Sequence, residues 1–183
     1  MKESVQILFE TERLMVRHFI KDDCHNFFLL NGDPEVMRYI RPVKSREETD
    51  LFFEEIILYS KNNLAYGRMA VMEKQSNTFV GSFAIIPLEN SEKMQMGYSL
   101  LPGYWGLGYA TELTMAGLLY VFTKTTLTEI YAITEVANFA SQKVLLKAGF
   151  MMHHTITEGI KDLYQYIFLK QDFQPQNFAD TPV

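Results

Sequence analysis

Residues 97–122 read GYSLLPGYWGLGYATELTMAGLLYVF, and what they form decides how the remaining chain is arranged. An alternating apolar run stops at Pro102-Gly103, Gly106 and Gly108 follow on either side of Leu107, and an apolar-periodic segment then predicts a long helix over about 107–122. A helix N-terminus exposes four unpaired N–H groups and about half a positive charge. Glycines there let an anion approach closely, because no Cβ stands in the way. GLGYATE therefore has two readings, a diphosphate cradle or a turn that the glycines merely shape. A Walker loop is excluded, since the chain has no Gly-Lys-Ser/Thr triplet. A dinucleotide fingerprint is disfavoured. It wants glycine or alanine where Thr111 stands, in a βαβ unit opening a parallel sheet.

Upstream, RLMVRHF (13–19) alternates as a strand does, and KDDCHNFFLLNG predicts a helix capped by Asp22 and stopped at Gly32. Asp33 and Pro34 open a short helix, and Ser45 with Glu48 forms a capping box for SREETDLFFEEIILYSKNN. Three strand-like runs, YGRMAVME, TFVGSFAIIPL and KMQMGYSLL, are joined by short turns and read as an antiparallel meander. Beyond the long helix come a buried strand, EIYAITEVA, and a helix, NFASQKVLLKAGF, ended by Gly149. MMHHTITEGI and LYQYIFLKQDF then predict a hairpin around Gly159-Ile160-Lys161-Asp162, and the last residues read as a loose tail. The order of elements predicts a mixed α/β or α+β sheet.

Composition sets bounds. The 183 residues, 48% apolar and 14% aromatic, suffice for one well-cored domain. A net charge of −5 argues against generic nucleic-acid binding, which needs a basic face, and suits a positively charged substrate such as an amine. Cys24 is the only cysteine, so neither an intrachain disulfide nor a thiolate metal cluster can form. No segment reads as a signal peptide or a membrane helix, and a cytoplasmic location is expected.

Three stretches in register, ETERLMVR, GYSLLPGYWGLGYATE and NFASQKVLLKAGF, resemble the GNAT superfamily of N-acetyltransferases. The narrower resemblance is to the RimJ/RimL-type branch, which acetylates N-terminal amines of ribosomal proteins. It covers about residues 8–172, with 173–183 as a tail. It implies a mostly antiparallel, twisted sheet of about seven strands with about four helices and splayed central strands. It also implies acetyl-CoA as co-substrate, an amine acceptor such as a ribosomal protein or peptide N-terminus, no metal, no nucleic-acid or membrane partner, and a monomer or homodimer.

Carried over by position, Trp105-Gly106-Leu107-Gly108-Tyr109-Ala110 matches the loop that grips the pyrophosphate, with Thr111 adding a hydroxyl. Trp105 stands where the superfamily often has Gln or Arg. Leu100 and Leu101 end the strand that pairs with the pantetheine arm, and an N–H near Leu100 would polarise the thioester carbonyl. Asn138 matches the asparagine that bonds the pantetheine amide; it also reads as a helix cap. Ser141 matches the serine that donates a proton to the leaving thiolate, or it is a small residue permitting close packing. The tyrosine other branches use one turn on is Leu145 here. Gln95 replaces a frequent glutamate and can position a water or substrate but not accept a proton usefully. Glu135, Tyr98, His153 and His154 are the remaining candidates for a base, and the two histidines, adjacent in a strand, are expected on opposite faces. The alternatives are acetylation of a small amine (a polyamine, aminoglycoside or amino acid) and a non-catalytic acyl-CoA-binding module.

Overall fold

The helix-start signals mark real ends. Asp33 Oδ1 accepts from the N–H groups of Glu35 (2.8 Å) and Val36 (3.2 Å). Ser45 N–H donates to Glu48 Oε2 at 2.7 Å, and Glu48 N–H donates to Ser45 Oγ at 3.2 Å. The computed structural model describes residues 5–159 and 161–175. Its elements are β1 (Ile7–Glu10), β2 (Leu14–His18), α1 (Cys24–Asn31), α2 (Pro34–Met37), α3 (Arg46–Asn62), β3 (Gly67–Glu73), β4 (Thr78–Pro87), β5 (Met94–Leu100), α4 (Tyr109–Lys124), β6 (Glu129–Glu135), α5 (Phe139–Lys147), β7 (Met151–Glu158) and β8 (Lys161–Leu169).

The strands form one eight-stranded sheet in the order β1-β2-β3-β4-β5-β6-β8-β7. The meander β2 to β5 is antiparallel as expected, and among the described residues β5 to β6 is the one parallel neighbour pair. The strand beyond the expected set is β1, four residues long and too short to show alternation. It joins β2 through Thr11, whose N–H donates to Leu14 O and whose hydroxyl accepts from Leu14 N–H, both at 2.8 Å.

Alternation along β3 divides the core between the sheet's two faces. Met69 and Val71 pack with Phe83, Ile85, Leu113, Leu118 and Val121 on the α4 side. Ala70 and Met72 pack with Phe19, Phe27, Leu30, Phe53 and Ile56 on the side of α1 and α3. No helix among the described residues is long and apolar enough to cross a membrane.

Three boundaries differ from expectation. A 3-10 turn, Lys21–Asp23, precedes α1, and the residue at the cap is Asp23 rather than Asp22. Asp23 is buried and takes both Arg17 guanidinium nitrogens, at 2.6 and 2.9 Å, together with the Ile20 N–H at 2.9 Å. The long helix begins at Tyr109 rather than near 107, because Gly108 caps it in the left-handed region. Of the expected hairpin turn, Ile160 lies outside the described residues. Of the expected tail, residues 176–183 also lie outside them, and Phe173 packs its ring 5.3 Å from that of Phe122 rather than hanging loose.

Candidate active site

β5 and β6 are bridged at a single pair, Gln95 opposite Tyr131. β5 then runs on to Leu100 and β6 to Glu135 without pairing, so the two strands part. β5 stays paired to β4 throughout, from Met94 to Leu100. Leu101 N–H donates to Val80 O at 2.9 Å. Because outward and inward groups alternate along an antiparallel ladder, the N–H of Leu100 turns the other way, into the gap.

Both flanking helices start where the gap opens. Gly106 (φ +74°) and Gly108 (φ +83°) lead into α4. Among the described residues, none of the backbone N–H groups from Gly106 to Thr111 donates to a protein acceptor. Six successive amides at a helix N-terminus are thus available to an anion. Glu112, in the first turn, would oppose an anion there, but its carboxylate is saturated from behind. Thr11 Oγ1 and Arg13 N–H donate to Oε1, and Arg13 Nε (2.8 Å) and Nη2 (2.6 Å) meet Oε2. Arg13 Nη1 also donates to Leu107 O at 2.9 Å, and its guanidinium lies 4.4 Å from the Tyr109 ring centroid. The ETER segment near the start of the chain therefore clamps the glycine loop.

α5 opens on the other side. Asn138 Oδ1 accepts from Ser141 N–H at 3.1 Å, a helix cap, and this leaves the Asn138 amide nitrogen for another acceptor. Asn138→Ala should lower the melting temperature by the loss of about 1 kcal/mol of capping. Asn138→Asp should keep the cap yet bind coenzyme A more weakly, since it lacks the NH2. Calorimetric titration beside a thermal melt separates the two effects.

The gap opens into a cavity of about 650 Å³. Leu100, Trp105, Gly106, Gly108, Tyr109, Ala110, Thr111, Asn138 and Ser141 line it together. Leu101, Leu107 and Gln95 do not line it. Leu101 has its N–H on Val80 and its carbonyl on Tyr104 N–H, so its backbone is spent within the protein. Leu107 points half into solvent and contributes its carbonyl to Arg13. Gln95 sits at the closed end of the gap, and its amide donates to Pro87 O at 3.4 Å. Trp105 closes the turn, since its indole N–H donates to Leu100 O at 2.7 Å.

Tyr98 lies in the lining with Ser141. Burial pushes its phenol above the ordinary value, and a hydrogen bond with the Ser141 hydroxyl pulls the other way. The phenol is therefore protonated at neutral pH and suited to donating, not to accepting a proton. Glu135 is committed to an ion pair with Lys161 and does not line the cavity. Glu35 is the one carboxylate among the described lining residues, beside the cations Arg38 and Lys143. Cys24 lies on α1, outside the lining, hydrogen-bonded to Asp50, and burial raises its thiol above the usual range.

The histidine expectation is overturned. A bulge between Met152 and His154 interrupts the alternation of β7. The His153 and His154 rings lie 4.5 Å apart rather than on opposite faces. Sequence reading also missed the wall formed by Glu35, Arg38, Tyr39 and Ile40. That segment shows only a capped single turn, which says nothing of what it faces.

A family model described as the acetyltransferase (GNAT) domain matches residues 13–151. The chain belongs to that family and is an acetyl-CoA-dependent N-acetyltransferase. The uncharacterised protein YkkB of Bacillus subtilis (strain 168) is 30% identical over 161 residues, 85% of this chain and 92% of YkkB. A GNAT-family acetyltransferase from Bacillus anthracis superposes with a TM-score of 0.77 at 26% identity, covering 89% of this chain and 98% of that one. At the level of fold alone stand two structures that hold coenzyme A. One is a spermidine N-acetyltransferase of Vibrio cholerae with spermine (TM-score 0.72, 22% identity, 87% and 96% covered). The other is RimL, a ribosomal L7/L12 α-N-protein acetyltransferase (TM-score 0.75, 18% identity, 90% and 98% covered).

Proposed function

We propose that the protein is a cytoplasmic enzyme of the RimJ/RimL type that moves acetyl from acetyl-CoA to the N-terminal α-amine of a peptide or protein. The observation that carries this reading is the run of uncommitted amides from Gly106 to Thr111 beside parted strands. Those amides take the diphosphate, the gap takes the pantetheine arm, and Leu100 N–H meets the thioester oxygen. The amine nitrogen attacks the carbonyl carbon, the C–N bond forms and the C–S bond breaks. The nitrogen loses one proton to water, and the departing thiolate gains one from Ser141, whose hydroxyl is replenished through Tyr98 or solvent. Catalysis rests on proximity and on carbonyl polarisation.

The acceptor class follows from the scarcity of bases. Gln95 is an amide outside the lining, Glu135 is paired, Tyr98 stays protonated, and the one carboxylate among the described lining residues, Glu35, shares that lining with the cations Arg38 and Lys143. An amine that is neutral on arrival suits such a site. An α-amine, with a pKa of roughly 7.7–8.0, meets that condition at pH 7 far better than an alkylamine near about 10.4. The test is a panel of peptides with free α-amines, Nα-acetylated lysine peptides, and spermidine, followed by mass spectrometry. Acetyl gain on free α-amines is expected; gain on spermidine alone overturns the peptide assignment. Binding of acetyl-CoA without transfer to any amine would mark a sensing module instead.

Ser141→Ala should lower kcat by about 100-fold, the usual worth of a positioned acid, while the Kd for acetyl-CoA moves little. The kcat/KM of the unaltered enzyme should climb as the α-amine loses its proton, with its midpoint at roughly pH 8 and its plateau about a unit higher.

A further inference from the structure

Three cations surround one aromatic ring next to the cavity. The Arg41 guanidinium, the Lys44 ammonium and the Arg68 guanidinium lie 5.1, 5.4 and 5.5 Å from the Phe52 centroid. Three cations gathered on one ring, none of them paired with a carboxylate among the described residues, contrast with the arginines held by acids elsewhere. Arg13, Arg17 and Arg46 each pair with a carboxylate. Among the described residues no carboxylate lies within ion-pair distance of Arg41, Lys44 or Arg68. Arg41 Nη2 donates to Asn31 Oδ1 at 2.6 Å, while Arg41 Nε is buried without a partner. Burial, and then the Arg41 charge, push the Arg68 guanidinium down to about 10. Partly buried charges are normally paired, so three like charges sharing one ring favour an anion that neutralises them.

The sheet register fixes where that anion would come from. Arg68 stands opposite Ala84, and Ala84 opposite Gly97. Gly97 lines the cavity, with open space where a Cβ would be. Opposed residues share a face, and strands lie about 4.8 Å apart, so the Arg68 and Gly97 backbones are separated by about 10 Å. Arg38, Tyr39 and Ile40 line the same wall and lead directly into Arg41. The diphosphate has its own donors at Gly106 to Thr111, beyond β5 from this cluster.

We propose that Arg41, Lys44 and Arg68 receive a carboxylate carried by the acceptor itself. Resting on the peptide reading above, this makes the acceptor an N-terminus with an acidic side chain within its first few residues, since Leu100, where the thioester is placed, stands three residues along β5 from Gly97 and an extended chain covers about 3.3 Å per residue. A polyamine, all cation, is repelled by the same cluster.

The experiment compares C-terminally amidated hexapeptides that are identical except for Asp, Asn or Lys at the third position. Expected is a kcat/KM for the Asp peptide at least about tenfold above that for Asn, with Lys lowest. The ratio of Asp to Asn should fall toward one in Arg68→Met and shrink in Lys44→Gln, a second variant outside the sheet, in the loop before α3. Equal rates for Asp and Asn on the unaltered enzyme overturn the carboxylate site and leave acetyl transfer standing. A ratio unchanged in both variants also overturns it. A binding arm covers a failure of transfer. The Nα-acetylated Asp peptide should raise the melting temperature of the unaltered protein, and of Arg68→Met much less. If no peptide is acetylated but this difference is seen, the transfer reading falls and the anion site stands; if neither is seen, both fall.

Discussion

Gly108→Val should weaken acetyl-CoA binding by about 100-fold, or about 2.7 kcal/mol, while the protein still folds. Gly108 holds φ at +83° and caps α4. An L-residue pays about 1–2 kcal/mol in that region, and a β-branched one is a genuine outlier there. Valine escapes by swinging φ negative, which re-aims the amides on either side of it. The cradle depends on the common direction of those N–H groups, so the ligand loses several charge-assisted bonds together. Little else is disturbed: the nearest atom to an added Cβ is Arg13 Nη2, at 3.4 Å. Titration calorimetry with coenzyme A measures the loss, and a thermal melt confirms that the chain is folded. Gly103→Ala serves as the control, since a Cβ there meets nothing within 4 Å and Gly103 has no positive φ. Full affinity in a folded Gly108→Val protein would show that the diphosphate is held elsewhere.

What could be read from the chain divides by range. Gly106, Gly108, Ser45, Glu48 and Asp33 act within a few residues of themselves, so their spacing reveals their role. The position of Ser141 beside Asn138 is legible for the same reason, as a cap and the residue whose N–H it takes. The parting of β5 from β6 is different. Alternation and burial look the same in a paired and an unpaired strand, so only the family resemblance predicted the gap. His153 failed because alternation presumes a regular strand, and nothing local betrays a bulge. Arg41, Lys44 and Arg68 come from a loop and a strand start far apart in the chain. Each reads alone as an ordinary solvated charge, and only the sheet register, with Phe52 between them, makes them one feature.

Gly81→Ala should be the most destabilising small change in the sheet, at about 3 kcal/mol, the upper end of the usual cost of overpacking. An ideal Cβ on Gly81 would stand 2.2 Å from Ser99 O, and 2.9 Å from both Leu100 Cα and Leu100 Cδ2. Two of these atoms are backbone of the paired strand, which cannot rotate aside as a side chain can. β4 is already irregular here, since Val71 pairs with Gly81 but Met72 with Phe79, leaving Val80 as the extra residue. Separating β4 from β5 at this point also moves Leu100, whose N–H faces the gap. Melting temperature should therefore fall by about 6–12 °C, at roughly 2–4 °C per kcal/mol for a chain of this size, and kcat should drop in the protein that remains folded. Gly117→Ala makes the comparison sharp. Its Cβ would come as near to Phe83 Cζ (2.5 Å) and Met96 Cε (2.6 Å), but these are ends of side chains that can shift. Alanine also favours the helix by roughly 0.5–1 kcal/mol over glycine. The melt of Gly117→Ala should accordingly lie well above that of Gly81→Ala. The reverse order would mean that the β4–β5 contact yields more easily than the helix-to-sheet core, and the role proposed for Leu100 at the thioester, which needs a rigid strand, could not be maintained.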